Sequence, residues 1–208
     1  MKTLRTAIAL LLVFVVLTGF VFPIAVWGIG QTIFPHQANG SLIKDPSGKV
    51  IGSELIGQNF TDPKYFHPRP SAAGSGYDAA NSGGTNLGPT SDKLINGIKD
   101  DPTTEADETY HGIKDLAKNY RETNGIPPDA KLPADAVTRS ASGLDPDISI
   151  ANALLQAPRV AKARGLPTNT ILALVKAQIK PRSLAIFGEP TVNVLRLNLE
   201  MNKIHPAN

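Results

Sequence analysis

An α+β protein is predicted, with one N-terminal transmembrane helix followed by a single mixed, loop-rich extracytoplasmic domain. Three observations predict it. Thr6 to Ile29 carry no ionisable side chain. The rest of the 208-residue chain alternates helix-period stretches with short strand-like pieces. Its 18 glycines and 17 prolines require many turns and ordered loops.

The apolar run TAIALLLVFVVLTGFVFPIAVWGI is preceded by Lys2 and Arg5 and ends beside Trp27. At ~1.5 Å per residue it reaches ~36 Å, enough to cross a hydrocarbon core of ~30 Å with some tilt. The rival is a cleaved signal peptide, whose apolar region is usually ~7–15 residues and ends at a small-x-small site. Here the run is longer, and Pro23 falls at the −3 position relative to Ala25; Gly28-Ile29-Gly30 is a weaker site. Length and flanks favour a retained anchor. Membrane helices accept a proline such as Pro23 where neighbouring helices support the kink.

The flanks also orient it. Lys2 and Arg5 precede the span, and the first cation after it is Lys44. Positive flanks stay in the cytoplasm. The expected order is a cytoplasmic stub 1–5, a span 6–30, a connector 31–40 and an outer domain 41–208.

In the connector, Phe34-Pro35-His36 is a break and Asn39-Gly40 a turn. SLIKDPSGKVIG reads as a hairpin around Asp45-Pro46-Ser47-Gly48. From Gly52 to Thr90 there is little periodicity, and such long irregular runs are functional or disordered. Tyr65, Phe66 and Tyr77 argue for an ordered loop. Ser91 starts a helix with Leu94, Ile95 and Ile98 on one side. Asp101-Pro102 starts a second, whose stripe is Ala106, Tyr110, Ile113, Ala117 and Tyr120, ended by Asn124-Gly125. Ser149 or Asp147 caps a helix to Arg164, stopped by Gly165, which Pro158 would bend or divide. Thr168 caps another to about Lys180. The tail TVNVLRLNLE alternates as a half-buried strand, with a phase slip at Val194-Leu195 that a bulge would explain.

Composition excludes several functions. Apart from Lys2 and Arg5 there are 19 basic and 18 acidic side chains, a net of +1. No clustered basic face points to nucleic acid. There is no cysteine, so disulfide, thiolate and Cys-zinc chemistry are absent. His36, His67, His111 and His205 form no metal-ligand spacing, and no metal is expected. Asp145-Pro146-Asp147 lacks the spacing of a calcium loop and reads as a helix and turn cap. Ser71, Ser140 and Ser142 sit in no G-x-S-x-G elbow. Gly83-Gly84 is followed by no phosphate-loop signature.

Arg69, between Pro68 and Pro70, is the most pointed residue. Its backbone is stiff, so its side chain is presented at low entropic cost. It serves either a partner or the loop itself. Arg69 with Tyr65 and Phe66 forms the candidate partner surface, since restricted loops lose little entropy on docking and aromatic and arginine side chains dominate interfaces. The competing reading has Tyr65 and Phe66 plugging the domain's own core.

Several sequence blocks, taken in order, carry a further signal. They begin at Thr18-Gly19-Phe20-Val21-Phe22-Pro23 and include Gln37-Ala38-Asn39-Gly40-Ser41-Leu42-Ile43 and Leu55-Ile56-Gly57-Gln58-Asn59-Phe60. Tyr65-Phe66-His67-Pro68-Arg69-Pro70-Ser71-Ala72 and Ser82-Gly83-Gly84-Thr85-Asn86-Leu87-Gly88-Pro89-Thr90 follow. The second half matches at Ser140-Ala141-Ser142-Gly143-Leu144-Asp145, Ile148-Ser149, Gln156 and Pro158-Arg159-Val160-Ala161-Lys162-Ala163-Arg164. Together these blocks resemble one family, the C subunit of the Kdp high-affinity potassium-transporting P-type ATPase. The chain departs from that family at an acidic stretch, Asp100 to Tyr110, and at Ile150, where a proline often stands.

The resemblance implies an accessory subunit of an ATP-driven potassium importer, needed for assembly and activity and without catalytic machinery. Its implied partners are a P-type ATPase subunit, a channel-like potassium-binding subunit, a very small membrane subunit and membrane lipid. It also implies a catalytic chaperone that raises ATP affinity, with Gln156 touching nucleotide. An outer domain cannot meet cytoplasmic ATP, so no cofactor is expected on this chain itself and ATP enters through the complex. The D-K-T-G phosphorylation signature is absent from the sequence. The competing classes are a membrane-anchored hydrolase using Ser71 or Ser142, and an envelope binding protein.

Overall fold

The computed structural model describes residues 2–99 and 109–204. It divides into two compact units, residues 1–53 and 54–208.

The first unit holds one continuous helical rod, Lys2–Ile33, with none of its apolar window buried within the protein. The rod is built from α1 (Lys2–Val16), a π-helical turn (Leu17–Val21) and α2 (Phe22–Ile33). Proline explains the π turn. Pro23 has no N–H, and its ring crowds the carbonyl four residues back, at Gly19. Widening the turn, so that Phe22 N–H bonds to Leu17 O, makes room without breaking the rod. Thr18 Oγ1 donates to Phe14 O at 2.7 Å. The proline is thus accommodated within its own helix. Phe34 leaves helical geometry, and α3 (Pro35–Ala38) adds one short turn. The expected hairpin follows as β1 (Leu42–Lys44) and β2 (Val50–Ser53), antiparallel. Asp45 Oδ1 accepts from Ser47 N–H at 2.9 Å and Lys49 N–H at 3.0 Å, which fixes the turn.

In the second unit no regular element interrupts residues 54–90 before α4 (Asp92–Asn96), capped by Ser91. Next come α5 (Ile113–Asn124), ended by Gly125 in the left-handed region at φ 65°, and α6 (Ala134–Val137). Tyr110 is not on the helical stripe. It is extended and exchanges both backbone hydrogen bonds with Ile98, at 2.8 and 2.9 Å. The Asp101-Pro102 helix start, Ala106, most of the acidic stretch and His205 lie outside the described residues.

The core rests on β3 (Asp147–Ser149), α7 (Ile150–Arg164), α8 (Thr168–Ala177), β4 (Ile179–Lys180), β5 (Thr191–Asn193) and α9 (Val194–Ile204). The three strands run in the order β3-β5-β4, antiparallel throughout. Ser149 caps α7 by accepting Asn152 N–H at 3.1 Å, whereas Asp147 lies in the strand. Pro158 does not divide α7. Leu154, four residues back, shares its exposed face, where a carbonyl without its helical donor can be hydrated. Thr168 opens α8 as its first residue, and the helix stops at Ala177 because Ile179 and Lys180 pair with β5.

The tail is a correction. Only Thr191–Asn193 is strand, and α9 starts at Val194. The slip at Val194-Leu195 is a switch of period and not a bulge: Val194, Leu195, Leu197, Asn198 and Met201 are buried at helical spacing. Ile148, Val192, Leu197 and Met201 close with Ala153, Ala157, Val160 and Ala161 of α7 and Ile171 and Val175 of α8 around Phe66.

Candidate partner interface

A loop of this length has no ladder to satisfy its backbone, and a buried unpaired N–H or C=O costs ~1–3 kcal/mol. Side chains of α7 and α9 solve this at one place. Asn198 accepts Phe66 N–H at 2.9 Å and donates to Phe66 O at 3.0 Å. Gln156 accepts His67 N–H at 2.7 Å and donates to His67 O at 3.0 Å. Two carboxamides from different helices therefore grip consecutive residues, each mimicking a paired peptide. Both are 1% exposed.

Two arginines extend the grip upstream. Arg159 Nη1 donates to Pro63 O at 2.7 Å and Tyr65 O at 3.0 Å, and its Nε to Asn124 Oδ1 at 2.9 Å. Arg164 Nε donates to Lys64 O at 2.7 Å, with its guanidinium 5.0 Å from the Tyr65 ring centroid. Burial pushes Arg159 down to about 10, which still leaves it cationic at neutral pH.

Gln156 is fully committed. Its second amide proton goes to Asn152 Oδ1 at 2.8 Å, and Oε1 also accepts from Arg159 Nη2 at 2.9 Å. Asn152 passes the network on: its Oδ1 accepts from the Tyr120 hydroxyl at 2.7 Å and its Nδ2 donates to Asp135 Oδ2 at 3.0 Å. Asp135 then takes the N–H and hydroxyl of Ser149, both at 2.8 Å. Burial, followed by Asp135, holds the Tyr120 phenol above its usual range, so it stays a donor.

The three sequence-predicted interface residues sit close in the chain but in different surroundings. Phe66 is 0% exposed and fills the core, as the competing reading had it. Tyr65 is half-buried, its ring 5.5 Å from that of Phe60. Arg69 is also half-buried. Its Nη1 donates to Asp145 Oδ2 at 2.8 Å, and its backbone carbonyl accepts the Tyr77 hydroxyl. Its Nε is buried, with no partner among the described residues.

Asp145 caps its own turn, accepting Asp147 N–H at 3.0 Å, while Asp147 bonds Thr191 at 3.0 Å and Asn193 at 3.1 Å across the strands. The pair ties a turn to a sheet and caps no helix. The serines are turn ties too. Ser71 Oγ donates to Gly143 O at 2.6 Å and accepts from Ala73 and Tyr77 N–H. Ser142 Oγ accepts Leu144 N–H at 3.1 Å and lies 3.1 Å from Ser140 Oγ. Gly143, at φ 70°, is the hinge of this knot: a Cβ there would lie 2.6 Å from Gly83 O and 2.7 Å from Ala73 Cβ.

His67 gives the site a pH dependence. Burial, and then the Arg159 charge, lower its pKa from 6.5. The folded state therefore prefers neutral His67, and the unfolded chain takes the proton first. That stabilisation is complete above about 6.5 and is lost as pH falls below it toward the folded value. The fall in thermal midpoint between pH 7.5 and 5.5 is expected to be smaller in His67→Asn than in the wild type. Equal falls would show that His67 is not the group being titrated.

Sequence reasoning missed Asn198, Asn152, Arg159, Arg164 and Asp135. The available signal was polar residues at core-facing helical positions: Asn198 lies one turn from Met201 and Val194, and Arg164 falls on the Ala157-Val160-Ala161 face.

The chain matches the family model described as "KdpC: K+-transporting ATPase, c chain" over residues 4–203. It is 49% identical over 203 residues to the potassium-transporting ATPase KdpC subunit of Mycobacterium bovis (strain BCG / Pasteur 1173P2), covering 98% of this chain and 99% of that protein. The KdpC subunit of Mycobacterium tuberculosis (strain ATCC 25618 / H37Rv) gives the same identity and coverage. That of Caulobacter vibrioides (strain NA1000 / CB15N) is 50% identical over 203 residues, 98% of this chain and 94% of its own.

Proposed function

The chain belongs to the KdpC family, and from that premise we propose that it is a non-catalytic subunit of a potassium-transporting ATPase, holding an outer domain against its partner subunits through one membrane helix. The observation that carries this is end-to-end similarity, spanning the apolar helix and the folded unit together. The partners are the P-type ATPase subunit, the potassium-binding subunit and the small membrane subunit. The tagged chain, extracted in mild detergent, should bring the first two with it. A chain that runs alone would end this reading, and labelling of Ser71 or Ser142 by a serine-reactive probe would favour a hydrolase.

The amino terminus is cytoplasmic and the 54–208 unit extracytoplasmic, on the strength of Lys2 and Arg5. Alkaline phosphatase fused after Asn208 should be active, and a cytoplasm-only reporter there silent. The reverse pattern would overturn the orientation. With ATP on the far side of the membrane, this chain raises ATP affinity by biasing a state shared across the complex, since coupling requires no contact. The commitment of all four Gln156 hydrogen bonds within the domain supports this reading over direct nucleotide contact.

Arg69 and Tyr65 face the partner, with buried Phe66 setting their position. The Arg69–Asp145 pair, with side chains 24% and 32% exposed, contributes about 1 kcal/mol after screening by solvent. Arg69→Ala should therefore lower the thermal midpoint by only about 2–4 °C while sharply reducing complex yield. Equal losses of stability and assembly would make Arg69 a purely structural tie.

A further inference from the structure

Beyond β4 the chain turns at residues 181–190 before returning as β5, and this turn carries an apolar tip. Leu184, Ile186 and Phe187 are 81%, 70% and 63% exposed. The tip is nevertheless braced. Ser183 and Phe187 exchange backbone hydrogen bonds, both at 2.9 Å, and Ile186 N–H reaches Ser183 O at 3.1 Å. Arg182 and Glu189 close the neck at 2.6 Å. Below it, Ile179 pairs with Val192, which is buried in the core.

The backbone there is strained. Leu184 and Ala185 stand side by side in the left-handed region, at φ 52° and 62°. Hairpin turns with two positive φ angles favour Asn, Asp and Gly, which bear that geometry cheaply. Here the positions hold residues with a Cβ, one of them a large apolar side chain in water. Folding alone favours neither choice. Strain and exposed apolar surface concentrated on one braced tip mark a binding element.

We propose that this tip is a plug that inserts Leu184, Ile186 and Phe187 into an apolar pocket on another protein subunit of the same ATPase; the inference rests on the assembly reading above. The charges argue for protein over lipid. A loop made for an anionic bilayer surface keeps its cations free for headgroups, whereas Arg182 pairs with Glu189 and Lys180 with Asp147 at 3.6 Å. Shape argues the same way: a fixed turn loses little entropy on entering a matching pocket, and a fluid bilayer rewards no fixed shape.

The test uses the full chain co-expressed with the other subunits and extracted in mild detergent. With the photo-crosslinking residue benzoylphenylalanine in place of Phe187, the expected product joins this chain to one protein subunit. Crosslinks confined to lipid, or none, would overturn the plug. The triple variant Leu184→Ser, Ile186→Ser, Phe187→Ser should recover roughly 10-fold less of the other subunits or worse, with the thermal midpoint of the uncomplexed full chain unchanged. Recovery equal to wild type would overturn it too. If the wild-type chain itself recovers no other subunit, the assembly reading falls, and the plug with it.

Discussion

Asn198→Leu is expected to destabilise the 54–208 unit by about 3–5 kcal/mol. Leucine keeps the branched outline of asparagine and is bulkier, so no cavity is made. What is lost is both partners of Phe66, whose N–H and C=O are held by one amide at 2.9 and 3.0 Å. Each buried orphan costs about 1–3 kcal/mol. At 2–4 °C per kcal/mol for a unit of this size, the thermal midpoint should fall by about 10 °C. Phe66 sits at the centre of the core, so weakening its backbone anchor loosens α7 and α9 together. A fall of less than about 1 kcal/mol would mean that Phe66 finds other partners and that the amide is not its anchor.

Gln156→Leu should do comparable damage by the same route, and it separates two views of this residue. It removes both partners of the His67 backbone and leaves Arg159 and Asn152 each short of one. The expected loss is again about 3–5 kcal/mol. Gln156→Glu keeps the acceptor for His67 N–H and Arg159 but not the two donors, and should fall between Leu and wild type. In whatever complex survives, KM for ATP should stay unchanged. A raised KM with an unshifted thermal midpoint would mean that Gln156 meets nucleotide and serves the domain little.

The local elements of this chain were legible because local chemistry sets them. Asp45 and Gly48 write the hairpin, Ser149 and Gly165 bracket α7, and Gly125 stops α5. The ordered character of residues 54–90 was legible from its aromatics, although what orders it was not. Gln156 and Asn198 lie 89 and 132 residues from the backbone they grip, and no periodicity registers such a bond. The tail failed for a different reason. Val194 and Leu195 open a helix directly where the strand ends at Asn193, and three residues of alternation look like the start of ten. The Tyr110 error is similar: a residue at helical spacing from Ile113 is drawn off by its pairing with Ile98. The exposed tip at 184–187 escaped notice because SLAIFGE reads as an ordinary apolar stretch until its burial is known.

The distribution of polar chemistry gives the chain its character. Among the described residues, Gln156, Arg159, Arg164 and Asn198 all spend hydrogen bonds on holding one loop in one shape. Such a loop suits the docking role proposed above. Its use is decided most directly by potassium-stimulated ATP hydrolysis, measured on the purified ATPase assembled with and without this chain, beside the chain alone. No hydrolysis is expected from the chain alone, full potassium-stimulated turnover from the assembly, and loss of that turnover when the chain is left out. Undiminished turnover without the chain, or hydrolysis by the chain itself, would contradict its role as a non-catalytic subunit on which the pump depends.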